Sequence, residues 1–220
     1  MHADDKVVIN PLPRFVSRGG DKLEKALISF GLMDLSGKLC ADVGSSTGGF
    51  TDCLLQHNAR RVYAIDVGKG LLHWKLRNDP RVVIMEQTNA RYLSNLPEKV
   101  HLVTMDASFI SLKILLPVVW NWQDYGSGVI ALIKPQFEAG RKLSAKGRGV
   151  IRDRAVHQEI LVDMINFSIN LGYKPLRLIA SPILGPKGNK EFLIYLNKLS
   201  SGNENRAEIL KSLVFNNPDL

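Results

Sequence analysis

The residues best placed to do chemistry begin with a run of small ones. Asp42-Val43-Gly44-Ser45-Ser46-Thr47-Gly48-Gly49-Phe50 joins a short apolar stretch, Leu39 to Val43, to a helical pattern. Glycine there lets the backbone approach a ligand closely, and α/β sheets bind ligands beyond the carboxyl ends of their strands. The pattern is Asp-x-Gly-x-x-x-Gly-Gly, not Gly-x-Gly-x-x-Gly. A loop that cradles a pyrophosphate avoids a carboxylate in its lead-in. Asp42 instead suits a cofactor with a positive end, such as the ammonium and sulfonium groups of S-adenosylmethionine (SAM). Asp66 follows Asp42 by 24 residues, at the end of a second strand pattern. An acid there accepts hydrogen bonds from both ribose hydroxyls of an adenosine, whether in NAD or in SAM. Asn89, after a third strand, can meet the adenine edge.

Four more polar residues fall at element ends. Lys22 follows Ser17-Arg18-Gly19-Gly20, Asp106 follows a fourth strand, Lys134 closes a fifth, and Glu191 opens the last. A lysine closing a buried strand is costly unless paired or working. Taken singly, Asp106 also reads as a helix cap, and Lys22 and Glu191 as surface charges. Taken with the glycine turn, Asp106 and Lys134 lie on one sheet edge and border the cofactor.

The elements that must position these groups alternate. Helical patterns cover 21–30, 49–57, 71–77, 110–119 and 154–171, and strand patterns cover 39–43, 61–65, 81–85, 100–105 and 128–133. Two late strands, 176–180 and 192–196, flank a turn-rich segment. Alternation of this kind predicts an α/β fold with a mainly parallel seven-stranded sheet, an antiparallel edge hairpin and helices on both faces. Residues 1–13 read as a leader, 14–200 as the domain and 201–220 as a polar tail with a helix near Ala207 to Phe215.

Charge and composition narrow the function classes. The 220 residues carry a net charge of +8, with 45% hydrophobic and 23% charged residues, the balance of a folded chain. Residues 58–81 hold six basic residues against two acidic, and 138–154 repeat that ratio. Clustered basic charge points to a polyanionic partner. The candidate RNA contacts are Arg18, Arg60, Arg61, Lys69, Lys75, Arg141, Lys142, Lys146 and Arg148, with 139–152 as a basic lid. No apolar run reaches membrane-spanning length and no signal peptide opens the chain, so it reads as cytoplasmic. Cys40 and Cys53 read as reduced thiols, and neither they nor the five histidines have the spacing of a protein-built metal site.

Six blocks then appear in order: SRGGDKLEKAL, DVGSSTGGFTD, YAIDVGKGLLHWKLRNDPRV, MDASFIS, LIKPQFEAGR and GNKEFL. Over about residues 14–197 the chain resembles the TlyA (haemolysin A) family, a branch of the FtsJ-like ribosomal RNA 2′-O-methyltransferases. The resemblance implies a Rossmann-like SAM-dependent enzyme with a Lys-Asp-Lys-Glu tetrad at Lys22, Asp106, Lys134 and Glu191. It also implies SAM contacts from Gly44, Ser45, Thr47, Gly48, Gly49, Asp66 and Asn89, with Asp42 and Phe50 bounding the turn, and ribosomal RNA or a ribosomal subunit as partner. Such proteins carry a small RNA-binding domain of about 60 residues ahead of the SRGG block, whereas 16 residues precede Ser17 here, so the chain reads either as a truncated piece or as a natural short form. On this reading Lys134 orients or deprotonates a ribose 2′-hydroxyl, Asp106 holds Lys134, and Lys22 and Glu191 position ribose and phosphate. The rival readings are a non-catalytic RNA-binding protein on the same fold, a small-molecule methyltransferase and an NAD-dependent dehydrogenase. The last lacks its glycine fingerprint.

Overall fold

The computed structural model describes residues 13–139, 149–199 and 205–217. Helix α1 (Gly19–Phe30) buries Leu23, Ala26 and Leu27 and stops at Gly31, whose φ of 72° turns its N–H back onto the last carbonyls. There follow β1 (Leu39–Val43), α2 (Gly49–Gln56), β2 (Arg61–Ile65), α3 (Trp74–Arg77) and β3 (Val82–Met85). After them come β4 (Val100–Met105), α4 (Leu112–Trp120), β5 (Gln123–Ile133) and the short α5 (Pro135–Glu138). The chain finishes with α6 (Arg154–Leu171), β6 (Tyr173–Ala180), β7 (Phe192–Lys198) and α7 (Arg206–Leu210).

The seven strands lie in the order β3-β2-β1-β4-β5-β7-β6. The first five are parallel, and β7 runs antiparallel to both β5 and β6. The expected sheet is therefore the observed one, edge hairpin included. The chain works outward from β1 to β3 and then returns to lay β4 on the other side of β1. That reversal opens a crevice beyond the carboxyl ends of β1 and β4.

Alternating side chains divide the core between the two faces. Ala41, Val43, Tyr63, Ile65, Val129, Ala131 and Ile194 pack on one face with α4 and α6. Cys40, Val62, Ala64, Ile130, Leu132 and Leu193 pack on the other with α1 and α2. Both thiols, Cys40 and Cys53, are fully buried on the second face. Burial pushes the Cys40 thiol up to about 12 and raises that of Cys53 as well. No helix among the described residues is long and apolar enough to cross a membrane.

Several boundaries differ from expectation, each for a local reason. The third helix starts at Trp74 rather than Leu71 because the Glu86 carboxylate takes the amides of Gly70, Leu71 and Leu72. β5 begins five residues earlier than its apolar run, since Gln123 pairs with Val100 across an irregular register. The polar tail is not wholly a tail: Leu213 and Val214 are buried against the α4–α6 face, and Asn217 donates to the Leu178 carbonyl at 2.8 Å.

The seating of α1 on α2 is set by glycine. A Cβ on Gly49 would lie 2.3 Å from Ser17 Oγ and 2.9 Å from the Gly20 nitrogen. Beside this contact the Val16 N–H donates to Asp52 Oδ2 at 2.9 Å. Gly49→Ala should therefore destabilise the fold by about 1–3 kcal/mol through overpacking. Gly31→Ala, with open space around the added methyl and only its left-handed backbone opposed, should cost about 1 kcal/mol. Urea unfolding of both variants tests the ranking, and a Gly49→Ala variant as stable as wild type would contradict the close crossing.

Candidate active site

Two cavities meet above the switch point. The larger, about 680 Å³, is walled by the start of α1, the glycine turn, the ends of β4 and β5 and the loop from Ile183 to Lys187. The smaller, about 440 Å³, runs over the ends of β1, β2 and β3. Gly44, Ser46, Asp106 and Ser108 line both. Gly44 has a φ of 81°, and a Cβ there would stand 2.9 Å from the Asp106 carbonyl oxygen. Only a bare backbone lets the ends of β1 and β4 close this far.

Lys22, Asp106, Lys134 and Glu191 all line the larger cavity, as two ion pairs. Lys134 Nζ sits 2.6 Å from Asp106 Oδ1 and donates to Ser108 Oγ at 2.9 Å. Lys22 Nζ donates to Glu191 Oε2 at 2.7 Å. The Glu191 side chain is 0% exposed and that of Lys22 12%. Glu191 Oε1 is buried with no hydrogen-bond partner. A Cβ on Gly185 would fall 2.1 Å from that same oxygen, so glycine lets the 183–187 loop rest on the carboxylate.

At the smaller cavity Asp66 accepts the Ser46 N–H on Oδ2 (2.8 Å) and the Gly68 N–H on Oδ1 (2.7 Å). It thereby ties the turns after β1 and β2 together, and a carboxylate with two such bonds keeps further lone pairs for a ligand. Asn89 lines this cavity too, although its Oδ1 also caps the following turn by accepting the Arg91 N–H at 3.1 Å. Gly44, Ser45, Gly49 and Phe50 reach the larger cavity.

Three residues of the expected cofactor set line neither cavity. Asp42 follows strand parity: it points with Cys40 into the α1–α2 face, is 0% exposed, and accepts hydrogen bonds from Thr51 Oγ1 (2.7 Å) and Thr104 Oγ1 (3.1 Å). Gly48, with a φ of 98°, is bare because Leu76 and Leu72 pack where its Cβ would be. Thr47 gives its carbonyl to the His73 N–H at 3.1 Å.

The basic set also divides. Arg18 caps α1 at the rim of the larger cavity, and Lys69 is exposed in the turn beside the smaller one. Arg60 and Arg61 stand at the amino end of β2, about 16 Å of strand away from the cavities. Arg61 is paired with Glu98 at 2.6 Å and Lys75 with Asp52 at 3.3 Å. Three of the six basic residues of 58–81, Arg61, Lys75 and Arg77, are thus matched by carboxylates outside that segment. Arg141, Lys142, Lys146 and Arg148 lie outside the described residues.

Sequence reading passed over Ser46, Thr88, Ser108, Gly185 and Lys187, all of which line a cavity. One physical signal connects some of them. Five non-glycine residues among those described have positive φ, and Ser46, Phe109 and Lys187 of that group stand at the cavities. Such backbone persists where the surroundings enforce it.

The profile of the FtsJ-like methyltransferases matches residues 15–198. This chain belongs to that family, in its TlyA (haemolysin A) branch. It is 50% identical over 201 residues to YqxC of Bacillus subtilis, provisionally named an rRNA methyltransferase, covering 89% of this chain and 69% of that one. It is 42% identical over 194 residues to the 16S/23S rRNA (cytidine-2′-O)-methyltransferase TlyA of Mycobacterium tuberculosis, covering 86% and 71%. A crystal structure from Lactococcus lactis, provisionally called a hemolysin, superposes with a TM-score of 0.80 at 45% identity, covering 90% of this chain and 98% of that one. The sheet is accordingly the Rossmann-like fold of SAM-dependent methyltransferases.

In this methyltransferase Asp42 titrates near neutrality, because burial pushes its carboxyl from 3.8 up to about 7 against the opposing Thr51 and Thr104 hydrogen bonds. With the folded value raised, the native state keeps a proton that the unfolded chain releases. The group therefore costs stability progressively as pH rises from about 4 to 7, and the full cost persists above 7. Asp42→Asn removes that titration and should gain about 2–3 kcal/mol on wild type between pH 5 and pH 8. Urea unfolding of both proteins at the two pH values measures the difference. An identical pH response would show that Asp42 is not the buried titrating acid.

Proposed function

We propose that this chain transfers a methyl group from SAM to a ribose 2′-hydroxyl of ribosomal RNA, free or in a ribosomal subunit, in the cytoplasm. The observation that carries this reading is the pairing of Lys134 with Asp106 and of Lys22 with Glu191 around one cavity.

The fit of the cofactor rests on the chain's own surfaces. The smaller cavity offers Val67, Leu71, Ala90 and Ile110 to a flat ring and the anchored Asp66 to a vicinal diol. Gly44, Ser45 and Gly49 would hold the remainder beside Asp106. When bound, SAM supplies an electrophilic methyl group. Glu191 Oε1, buried without a partner, is an acceptor waiting for a donor from substrate or cofactor.

A ribose hydroxyl is a weak nucleophile that must be aimed and must shed its proton. Lys134 Nζ is paired with Asp106 Oδ1 and donates to Ser108 Oγ and, over a longer 3.4 Å, to the Asp106 carbonyl; that long bond is the one an incoming 2′-oxygen would displace. Lys134 orients the hydroxyl, and the proton shed as the methyl arrives passes to the Asp106 carboxylate beside it. Lys22, fixed by Glu191, positions the ribose and its phosphate from the opposite wall. Alignment of this kind can contribute about 7–11 kcal/mol. Within the tetrad two cations and two anions cancel, while Arg18 and Lys187 on the same cavity wall leave a positive surface for phosphate.

Lys134→Ala should lower methyl transfer to ribosomal RNA by about 10²–10⁴-fold while SAM affinity changes by about threefold or less. Radiolabelled methyl incorporation with ribose-methylation mapping, alongside calorimetric SAM binding, provides the test. Turnover within about tenfold of wild type would remove Lys134 from the chemistry.

A further inference from the structure

A third cavity, about 450 Å³, opens between the start of α6 and the loop that precedes β7. Its floor is Phe192, which is fully buried and meets the edge of the His157 ring at 5.4 Å. Arg152, Arg154 and Lys190 line it together with His157 and Gln158, and no carboxylate among the described residues does. Lys190 Nζ lies 5.5 Å over the Phe192 ring. Arg152 and Arg154 are exposed, and among the described residues neither is in an ion pair. Asp153, the acid between them, is turned to the Ala155 N–H as the cap of α6.

The walls are built, not incidental. Asn189 is 2% exposed and uses its whole amide: Nδ2 donates to the Gly149 (2.9 Å) and Pro186 (3.2 Å) carbonyls, and Oδ1 accepts the Ile151 N–H at 3.1 Å. His157 Nε2 donates to the Ile151 carbonyl at 3.0 Å. These bonds clamp residues 149–151 to the same loop that rests on Glu191. Loop residues Pro186 and Lys187 face the catalytic cavity, while Gly188 and Lys190 face this one. Consecutive residues Lys190 and Glu191 therefore serve two neighbouring chambers, the one cationic and the other holding the ion pairs.

We infer that this cavity is a phosphate subsite, taking backbone phosphodiesters of the RNA strand whose ribose occupies the catalytic cavity. Two exposed arginines in no ion pair among the described residues, with Lys190 on the same wall, select an anion. The open rim, with its arginines exposed, suits a polymer passing through, and arginine suits phosphate because its planar fork donates two hydrogen bonds at once. The inference rests on RNA being the substrate, as proposed above.

The test is the double variant Arg152→Gln/Arg154→Gln, with Arg152→Lys/Arg154→Lys as the charge-keeping partner and Lys190→Gln as an independent probe. Binding to a ribosomal RNA fragment is measured against salt, and methylation kinetics are measured on the same RNA. In the Gln double variant the slope of log K against log salt should flatten by about 1–2, because one or two phosphate contacts are lost. KM for RNA should rise about tenfold, as befits a lost positioning contact, with kcat and SAM affinity within about twofold. The Lys pair should restore most of the slope, and Lys190→Gln should flatten it by about 1. Unchanged slope and KM in a wild type that does methylate ribose would overturn the subsite while leaving the enzyme reading intact. Wild type that neither binds nor methylates ribosomal RNA would overturn both. Competition by millimolar inorganic phosphate with an unaltered RNA slope would assign the pocket to a free anion instead, which also overturns it.

Discussion

The rest of the site depends on one buried ion pair, between Lys22 and Glu191. It joins the first helix to the last strand across 169 positions of sequence, and its carboxylate is fully shielded from solvent. A carboxylate so buried is tolerable only if its cation arrives, since removing one partner leaves an uncompensated charge. Docking of α1 is thus both a folding requirement and the step that completes the wall of the larger cavity. The contacts that seat α1 are correspondingly exacting: the bare Gly49 and Gly20, and the Val16 N–H on Asp52. Stability and chemistry are coupled through the same few atoms.

The two chambers over the sheet edge follow from topology. Because the strand order reverses between β1 and β4, their ends diverge into helices on opposite faces and leave a crevice. Gly44 narrows that crevice to backbone thickness, and Asp106 and Ser108 stand on the divide with a face to each side. A group in one chamber and a group in the other can therefore meet across the divide that Gly44, Ser46, Asp106 and Ser108 share.

Much of this was legible in the residues, because buried parallel strands are short apolar runs and the chain alternates them with helices. The four tetrad positions were reached through the family resemblance, and the structure gathers them around one cavity. Asp42 shows where pattern reading failed. Its place before the glycines looked functional, yet side-chain parity along β1 sends it to the opposite face, where Thr51 and Thr104 meet it. The charge count pointed to a polyanion but not to which cations are already paired: Arg61 and Lys75 meet Glu98 and Asp52, partners distant in sequence. Glu86 gathering three loop amides, and Gly185 making room for Glu191, had no local signature. Each depends on a neighbour supplied by the tertiary fold.

Cys40 and Cys53 carry a last consequence. They sit on the face where α1 and α2 pack, without solvent contact, and burial disfavours the thiolate of each. Thiolate is the form that alkylating reagents attack, so native protein resists them on that face. Labelling then tracks the rate at which that half of the molecule breathes open. The two thiols are thus an internal reporter of any opening of the face that α1 and α2 cover.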